Sequence, residues 1–414
     1  MYIQKKSFLE NCKTIIVIGG GASGFFAAIN SAINFPNAKI IILEKTNHFL
    51  SKVKISGGGR CNVTNETLDK NKLCENFPRG KKELKQVFFQ FNTKDTIEWF
   101  AKRNVKLITE KDFRMFPESN TSSEIINCFL NEANKYNVEI KFNKEVLSIQ
   151  KLEPNFLIKT NDSDFFGDAI ICCVGGFNNL GKYEFIKNLG HTIISPIPSL
   201  FTFNVPNSDI TKLMGISKDV TVKLLQTKYE ETGSILITHW GFSGPVILKL
   251  SSFAAIDLFN LNYSTSISIN WINEKNESRI LEQLNDFKNK KIKIGNLSPF
   301  QIPKRLWEYL VTKSEIDLMK NWNELNKKEI HKIIKILSND IYVMNGKTTF
   351  KEEFVTAGGI DLKEINFKTM ESKIVSNLFF CGEVLNIDGI TGGFNFQNAW
   401  STSFIAAKNV LLNK

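Results

Sequence analysis

Thr14-Ile15-Ile16-Val17-Ile18-Gly19-Gly20-Gly21-Ala22-Ser23-Gly24 decides the fold of this chain. The β-branched run Thr14–Ile18, cut off by glycine, reads as a buried parallel strand. The glycines fit G-x-G-x-x-G, and Phe25, Ala28, Ile29, Ala32 and Ile33 follow at helical spacing. Ala38–Leu43 reads as a second apolar strand, closed by Glu44, 20 residues after Gly24. Gly19 permits the tight turn, Gly21 lets backbone approach a pyrophosphate, and Gly24 allows helix and strand to pack closely. The helix start offers free N–H groups and a positive dipole end to phosphates. Glu44 can accept hydrogen bonds from a ribose and disfavours a 2′-phosphate. A glycine triplet alone is a weak signal. Strand, turn, helix, strand and acid in this order outweigh a glycine-rich turn of an unrelated α/β protein. Ala22 and Ser23 in the turn, and Lys45 after Glu44, join the candidate cofactor residues.

The remaining sequence bears on which dinucleotide is bound. No second complete G-x-G-x-x-G occurs: Gly57-Gly58-Gly59 lacks the third glycine and Gly175-Gly176 lacks the spacing. One site therefore holds NAD or FAD. Thr121, with Glu124 three residues on, predicts a capping box opening a helix to Ala133. Its apolar face is read as Ile126, Phe129, Leu130 and Ala133. Val138–Ile140, Glu145–Leu147, Ala169–Val174 and Asn377–Cys381 read as strands, and Asn395–Leu412 as a helix. A nucleotide fold begun at residue 14 and completed near residue 400 is how glutathione-reductase-type FAD domains are organised, which favours FAD.

Between these ends the patterning changes. Phe201–Val205, Val220–Leu224, Ser234–Thr238 and Ser266–Asn270 alternate apolar and polar residues, as strands of a barrel or sandwich do. Glu274–Asp340 carries helical faces: Ile280, Leu281 and Leu284; Leu306, Leu310 and Val311; Ile330, Ile333, Ile334 and Leu337. The expected layout is α/β: a Rossmann-type FAD-binding domain with an inserted β-barrel-like domain and a small helical domain. The segments are 1–195 for the first part of the FAD domain, 196–272 β-rich and 273–340 helical. Residues 341–414 return a strand to the β unit and complete the FAD domain.

Composition fits this reading. At about 150 residues per domain, 414 residues hold two or three domains. With 42% hydrophobic and 23% charged residues, wholesale disorder, a collagen repeat and a disulfide miniprotein are excluded. Lys and Arg (53) exceed Asp and Glu (42), a net charge of +11. Such an excess marks a nucleic-acid binder, a binder of anionic ligands or a Lys-rich surface. Lys288, Lys290, Lys291, Lys293, Lys327, Lys328, Lys332 and Lys335 are interspersed with acids, and no RNP string is present. A solvated helical surface is therefore favoured over nucleic acid. The seven cysteines show no C-x-x-C, which argues against a disulfide framework or a zinc site. Met1–Lys13 is polar, with no signal-peptide core, and no run approaches a membrane span. A soluble cytoplasmic protein without a membrane partner is expected; the oligomeric state stays open.

Four strings together resemble a known family. They are Ile55-Ser56-Gly57-Gly58-Gly59-Arg60-Cys61-Asn62-Val63-Thr64-Asn65, Thr238-His239-Trp240-Gly241-Phe242-Ser243-Gly244-Pro245, Thr356-Ala357-Gly358-Gly359-Ile360, and Gly382-Glu383-Val384-Leu385 through Thr391-Gly392-Gly393-Phe394-Asn395-Phe396-Gln397. With the N-terminal fingerprint, they resemble the bacterial aminoacetone-oxidase-like or BaiN/RdsA-type NAD(P)/FAD-dependent oxidoreductases across nearly the whole chain. The resemblance implies FAD, hydride transfer to or from flavin, and an inserted β-rich domain. It places Gly19, Gly21, Gly24 and Glu44 at the ADP half and Val146 at the adenine. Gly59, Arg60, Cys61, Asn62, Val174, Gly175, Gly176, Gly382 and Glu383 would lie along the pyrophosphate, ribityl chain or flavin. Two departures stand out. Cys173-Val174-Gly175-Gly176 replaces Ala-Thr-Gly-Gly, and Ser403 and Ala407 replace glycines in the last helix.

Flavin does the difficult chemistry, and the protein supplies binding, orientation and electrostatics. Gly392 and Gly393, opening a helix at Phe394 and Asn395, would aim N–H groups and a positive helix end at the flavin. Arg60 would neutralise the pyrophosphate or, in the plainer reading, form a loop salt bridge. Cys61 has no partner cysteine for dithiol chemistry; Cys172 and Cys173 read as core. His239, one of four histidines, is the candidate to line the substrate cavity as acid or base, against a structural histidine at a corner. The expected activity is an FAD-dependent oxidoreductase moving hydride between flavin and a small amine, ketone or enone. Oxygen or a transient NAD(P)H would be the redox partner. A flavin-containing RNA-modifying or RNA-binding protein is the alternative.

Overall fold

The computed structural model of the protein describes residues 12–348 and 355–412. Most of the polar stretch Met1–Lys13, namely residues 1–11, lies outside the described residues. Thr14–Ile18 forms the buried parallel strand expected, with Ile15, Ile16 and Val17 completely buried. Lys39–Leu43 and Ala169–Cys172 flank it in parallel, with Ile16 paired to Ile41 on one side and Ile170 on the other. Glu139–Lys141 extends one edge. On the other, Leu378–Phe380 pairs in parallel with Ala169–Cys172. Glu371–Ser372 and Ile365–Asn366 follow, antiparallel, to complete seven strands. The sheet therefore needs both ends of the chain.

Helix Ala22–Asn34 packs along helix Phe394–Asn409. Ser403, one of the two replaced glycines, is buried between them and bonds Ser23 Oγ at 2.6 Å. Around the pair sits an aromatic core, with Phe26 4.6 Å from Trp99 and 5.3 Å from Trp400, and Phe129 5.6 Å from Trp400. Helix Ser122–Lys135 is capped by Thr121, whose side chain accepts from Ser123 N–H. The expected capping box is not made, because Glu124 is taken by Ser119. The buried face is also turned relative to the reading: Ile125, Cys128, Phe129, Glu132 and Ala133 are inside, while Ile126 and Leu130 are half-buried. Glu132 enters the interior because Arg103 neutralises it at 2.7 Å.

The described residues divide into two compact units, one drawn from Met1–Pro198 and Lys351–Lys414, the other from Ser199–Phe350. The second unit holds a seven-stranded antiparallel sheet. Its order is Asp340–Asn345, Ser264–Asn270, Ser217–Leu224, Glu230–Ile237, Gly241–Ser243, Thr202–Asn204, Lys347–Thr348. The two edge strands are consecutive in sequence, separated only by Gly346 at φ +91°. A chain that bends there and pairs at both edges closes the sheet on itself, which makes it barrel-like.

Helices Glu277–Lys288, Lys304–Lys313 and Lys327–Ser338 do not form a unit of their own. Ile280, Leu306, Trp307 and Ile333 share one core with Phe203, Val222, Ile267 and Trp271 of the β segment. The expected boundary at 272/273 is thus absent, because neither the sheet nor the helices could bury their apolar faces alone. Leu281, read as core, is exposed. Among the described residues, no helix is long and apolar enough to cross a membrane.

Candidate cofactor site

The first turn places the fingerprint where its residue types are needed. At Gly19, φ is +106° and a Cβ would lie 2.6 Å from the Cys173 carbonyl oxygen. At Gly24 a Cβ would lie 1.8 Å from the Gly19 carbonyl oxygen. At Gly21 a Cβ would meet no atom within 4 Å. Gly19 and Gly24 therefore make the close turn and packing, and Gly21 leaves open backbone. Helix Ala22–Asn34 starts at Gly21 without a side-chain cap. The Glu44 carboxylate accepts Gly20 N–H at 2.7 Å, and Thr46 N–H and Oγ1 at 2.9 Å each. It is held at the turn with lone pairs to spare for a ribose hydroxyl. Ala22 is half-exposed there; Ser23 is buried and spent on Ser403.

Gly175, at φ +76°, and Gly58 and Gly59, at φ +69° and +85°, also have no atom within 4 Å of an added Cβ. They share a left-handed backbone and open surroundings. Gly176 differs, since its Cβ would press on Thr356 Oγ1 at 2.7 Å. Val174 is half-buried beside Gly19. Gly382 N–H bonds Thr402 Oγ1 at 2.9 Å, and Gly382 lies against Ser23. Both Glu383 oxygens are engaged: Oε2 by Lys52 Nζ at 2.6 Å and Oε1 by Thr356 N–H at 3.0 Å. Glu383 thus braces Lys52 and Thr356.

The Asn62–Asn65 segment is tied to the last glycines and the helix they open. Asn62, with its amide oxygen toward Gly393 N–H and its nitrogen toward the Thr64 carbonyl, makes both contacts at 3.0 Å. Asn65 Nδ2 donates to Gly392 O at 3.1 Å, Trp400 Nε1 to Val63 O at 2.9 Å, and Thr64 Oγ1 to Gln397 Oε1 at 2.6 Å. Gly393, at φ +92°, leaves helix Phe394–Asn409 without a side-chain cap. Phe394 packs on Phe77, 6.1 Å between rings. Asn395 bonds both the N–H and the carbonyl of Gly389, at 2.8 and 2.9 Å. It therefore shapes the loop rather than reaching outward.

Other candidates lie differently. Arg60 Nη1 meets Glu110 at 2.6 Å, Nε donates to the Gly57 carbonyl, and the guanidinium covers Phe116 at 4.0 Å. This is the loop salt bridge of the plainer reading. Cys61 is buried at φ +62°, and burial pushes its thiol up to about 12, away from thiolate chemistry. Lys45 is exposed, 5.5 Å over the Phe177 ring. Val146 is half-buried at the start of strand Val146–Lys151. Cys172 and Cys173 are core. In the second unit, His239 is exposed beside Trp240 (4.1 Å between rings) in the tight turn closed by Thr238 N–H on Gly241 O.

The bare, positive-φ glycines and the two uncapped helix starts are surfaces that a pyrophosphate and a flavin edge need, so these residues fit FAD. Sequence reasoning missed the residues that hold them: Lys52 on Glu383, Gln397 on Thr64, and Arg79 on Asp388. Only the position of Asp388, between the glutamate and glycine motifs, hinted at the last.

Comparison with known proteins adds a family. A family model described as the HI0933-like protein Rossmann domain matches residues 13–409. The 3-dehydro-bile acid delta(4,6)-reductase of Clostridium scindens is 27% identical over 95% of this chain and 97% of its own. The ribosomal RNA dihydrouridine synthase of Escherichia coli is 27% identical over 96% of this chain and 98% of its own. Among solved structures, E. coli quinol fumarate reductase gives a TM-score of 0.49 at 13% identity, covering 96% of this chain and 69% of that one. The 3-ketosteroid delta1-dehydrogenase of Sterolibacterium denitrificans gives 0.48 at 10%, covering 97% and 100%.

Proposed function

The chain belongs to the HI0933-like Rossmann family of FAD-dependent oxidoreductases, and from that premise we propose that it reduces a carbon–carbon double bond conjugated to a carbonyl in a small organic substrate, with NAD(P)H as donor. The observation that carries this is the full-length match to a reductase whose name describes such a bond, on a chain with one dinucleotide fingerprint. Bound FAD would supply the hydride-carrying ring. The chain's own part is to bind and orient it. Gly21 and the first turn of helix Ala22–Asn34 would face the phosphates, Glu44 the ribose, and Gly392–Gly393 the flavin edge. Reduction also needs a proton at the carbon beside the carbonyl. His239 is the candidate donor, and a His239→Ala variant with FAD and full turnover removes it from that role.

A second reading has its own observation. The dihydrouridine synthase relative matches at the same identity and nearly the same coverage, and uracil also presents a conjugated double bond. The substrate would then be uridine in RNA. Anaerobic mixing with NADH or NADPH, followed by a conjugated enone or by RNA, tests both. The expected result is bleaching of the flavin band by a nucleotide and its recovery with the enone. No bleaching by either nucleotide refutes the NAD(P)H donor and leaves a substrate oxidase using oxygen. Recovery with RNA alone selects the second reading, with affinity falling steeply as salt rises.

A further inference from the structure

We propose that the Arg79–Asp388 ion pair is a positioning device that holds the loop Asp388–Gly393 in its cofactor-binding shape and so sets the affinity for FAD. The proposal rests on FAD lying at this loop. Asp388 is the only charged residue in Asp388–Gly393, and its side chain is fully buried, while that of Arg79 is 12% exposed. The contact is two-pronged, Arg79 Nε on Oδ1 and Nη2 on Oδ2. Such a fork fixes orientation as well as distance.

The backbone agrees. Arg79 and Asp388 form an isolated antiparallel bridge. Gly80 lies so close to Ile387 that a Cβ would come within 2.5 Å of its side chain. Beyond Asp388 the loop is held by neutral ties at successive points. Asn395 holds Gly389, Asn76 O accepts from Ile390 N–H at 2.9 Å, Asn65 holds Gly392 and Asn62 holds Gly393. The loop is thus gripped from residues 62–65 and 76–80, and the charged fork grips its first residue. Replacing a buried ion pair by apolar residues of similar volume often leaves stability unchanged. What such a pair adds here is a fixed geometry for Gly392, Gly393 and the helix start behind them.

That contrast makes the idea testable. The double variant Arg79→Met/Asp388→Leu removes the fork without stranding a charge. FAD affinity is read by titrating apo-protein and following flavin fluorescence; the midpoint potential is read by dye equilibration. The expected result is a folded protein that binds FAD at least tenfold more weakly. Reduced FAD should suffer most, because the positive helix start stabilises its added negative charge and that alignment is lost. A further tenfold preference against it lowers the two-electron midpoint by about 30 mV. Arg79→Lys keeps the charge and loses the fork, and should fall between. Wild-type affinity and potential in either folded variant overturn the proposal. Wild-type protein that takes up no FAD refutes the cofactor reading itself and is seen before any variant is made.

Discussion

Two alanine substitutions one helical turn apart should fail in opposite ways. Gly24 lies inside helix Ala22–Asn34, where alanine is favoured over glycine by about 1 kcal/mol. On propensity alone, Gly24→Ala stabilises. Its Cβ, however, would lie 1.8 Å from the Gly19 carbonyl oxygen, where ordinary contact begins at 3.4 Å. The helix must separate from the turn, and overpacking of this kind costs about 1–3 kcal/mol or more. A clash this close to backbone lies in the upper part of that range, about 2–3 kcal/mol, so sterics win with a net loss of about 1–2 kcal/mol. At roughly 2–4 °C per kcal/mol, the apo-protein should melt about 2–8 °C lower. Gly21 has extended backbone at φ −88° and open space around its Cβ position. Gly21→Ala should leave the apo Tm within about 1 °C, as for an unconstrained surface change of under ~0.5 kcal/mol. It should still weaken FAD binding at least tenfold, about 1.4 kcal/mol, because the methyl enters the phosphates' space. Differential scanning fluorimetry and FAD titration of both variants decide the matter. A Gly21→Ala protein with wild-type FAD affinity, or a Gly24→Ala protein that melts higher, refutes the reasoning.

Arg60→Met should lower the Tm while leaving FAD affinity within about threefold, since the guanidinium is spent on Glu110 and Phe116; a tenfold loss by titration would restore its role at the pyrophosphate. His191 is buried against Ser372 and Phe380, and burial lowers its pKa. The unfolded chain, with histidine near 6.5, then binds more protons, so this contribution to stability is complete above about pH 6.5 and is lost as pH falls below it. His191→Gln should flatten the fall in Tm between about pH 7.5 and 5, and an unchanged slope contradicts the assignment. In native protein, iodoacetamide at pH 8 should modify exposed Cys12 alone among seven cysteines; burial holds Cys61 and Cys128 up at about 12 and Cys74 at about 11. Mass spectrometry showing rapid labelling of Cys61 counters this.

Much of the FAD-type unit was legible because its signals are local. The run Thr14–Ile18, the glycines after it and Glu44 each satisfy a constraint set within a few residues. Strand Leu378–Phe380 was legible as a strand, but only the sheet shows Phe379 beside Ile171. Thr121 caps helix Ser122–Lys135 as read, but the capping box failed because Glu124 had a second suitor, Ser119, which spacing does not rank. The helical domain failed because amphipathic faces say that a partner exists and not which one. Ile280 and Ile333 found the β segment's core.

The site divides along the same line. Where bare backbone is required, glycine is the only economical answer, so Gly21, Gly59 and Gly175 stand out in the sequence. What keeps that backbone in place has no such signature. Asn62 and Gly393 are some 330 residues apart, as are Thr64 and Gln397, and Arg79 lies about 300 residues from Asp388. Arg60, drawn to the dinucleotide by its place beside three glycines, is claimed by Glu110, a residue with no motif around it. A cation near a glycine run is therefore weak evidence for a phosphate contact until the carboxylates that fold back on it are known. By the same reasoning, the net charge of +11 does not choose between a small enone and RNA. Ion pairs such as Arg79–Asp388 and Arg103–Glu132 cancel one charge of each sign and leave the surplus intact, so the total does not say on which surface that surplus lies.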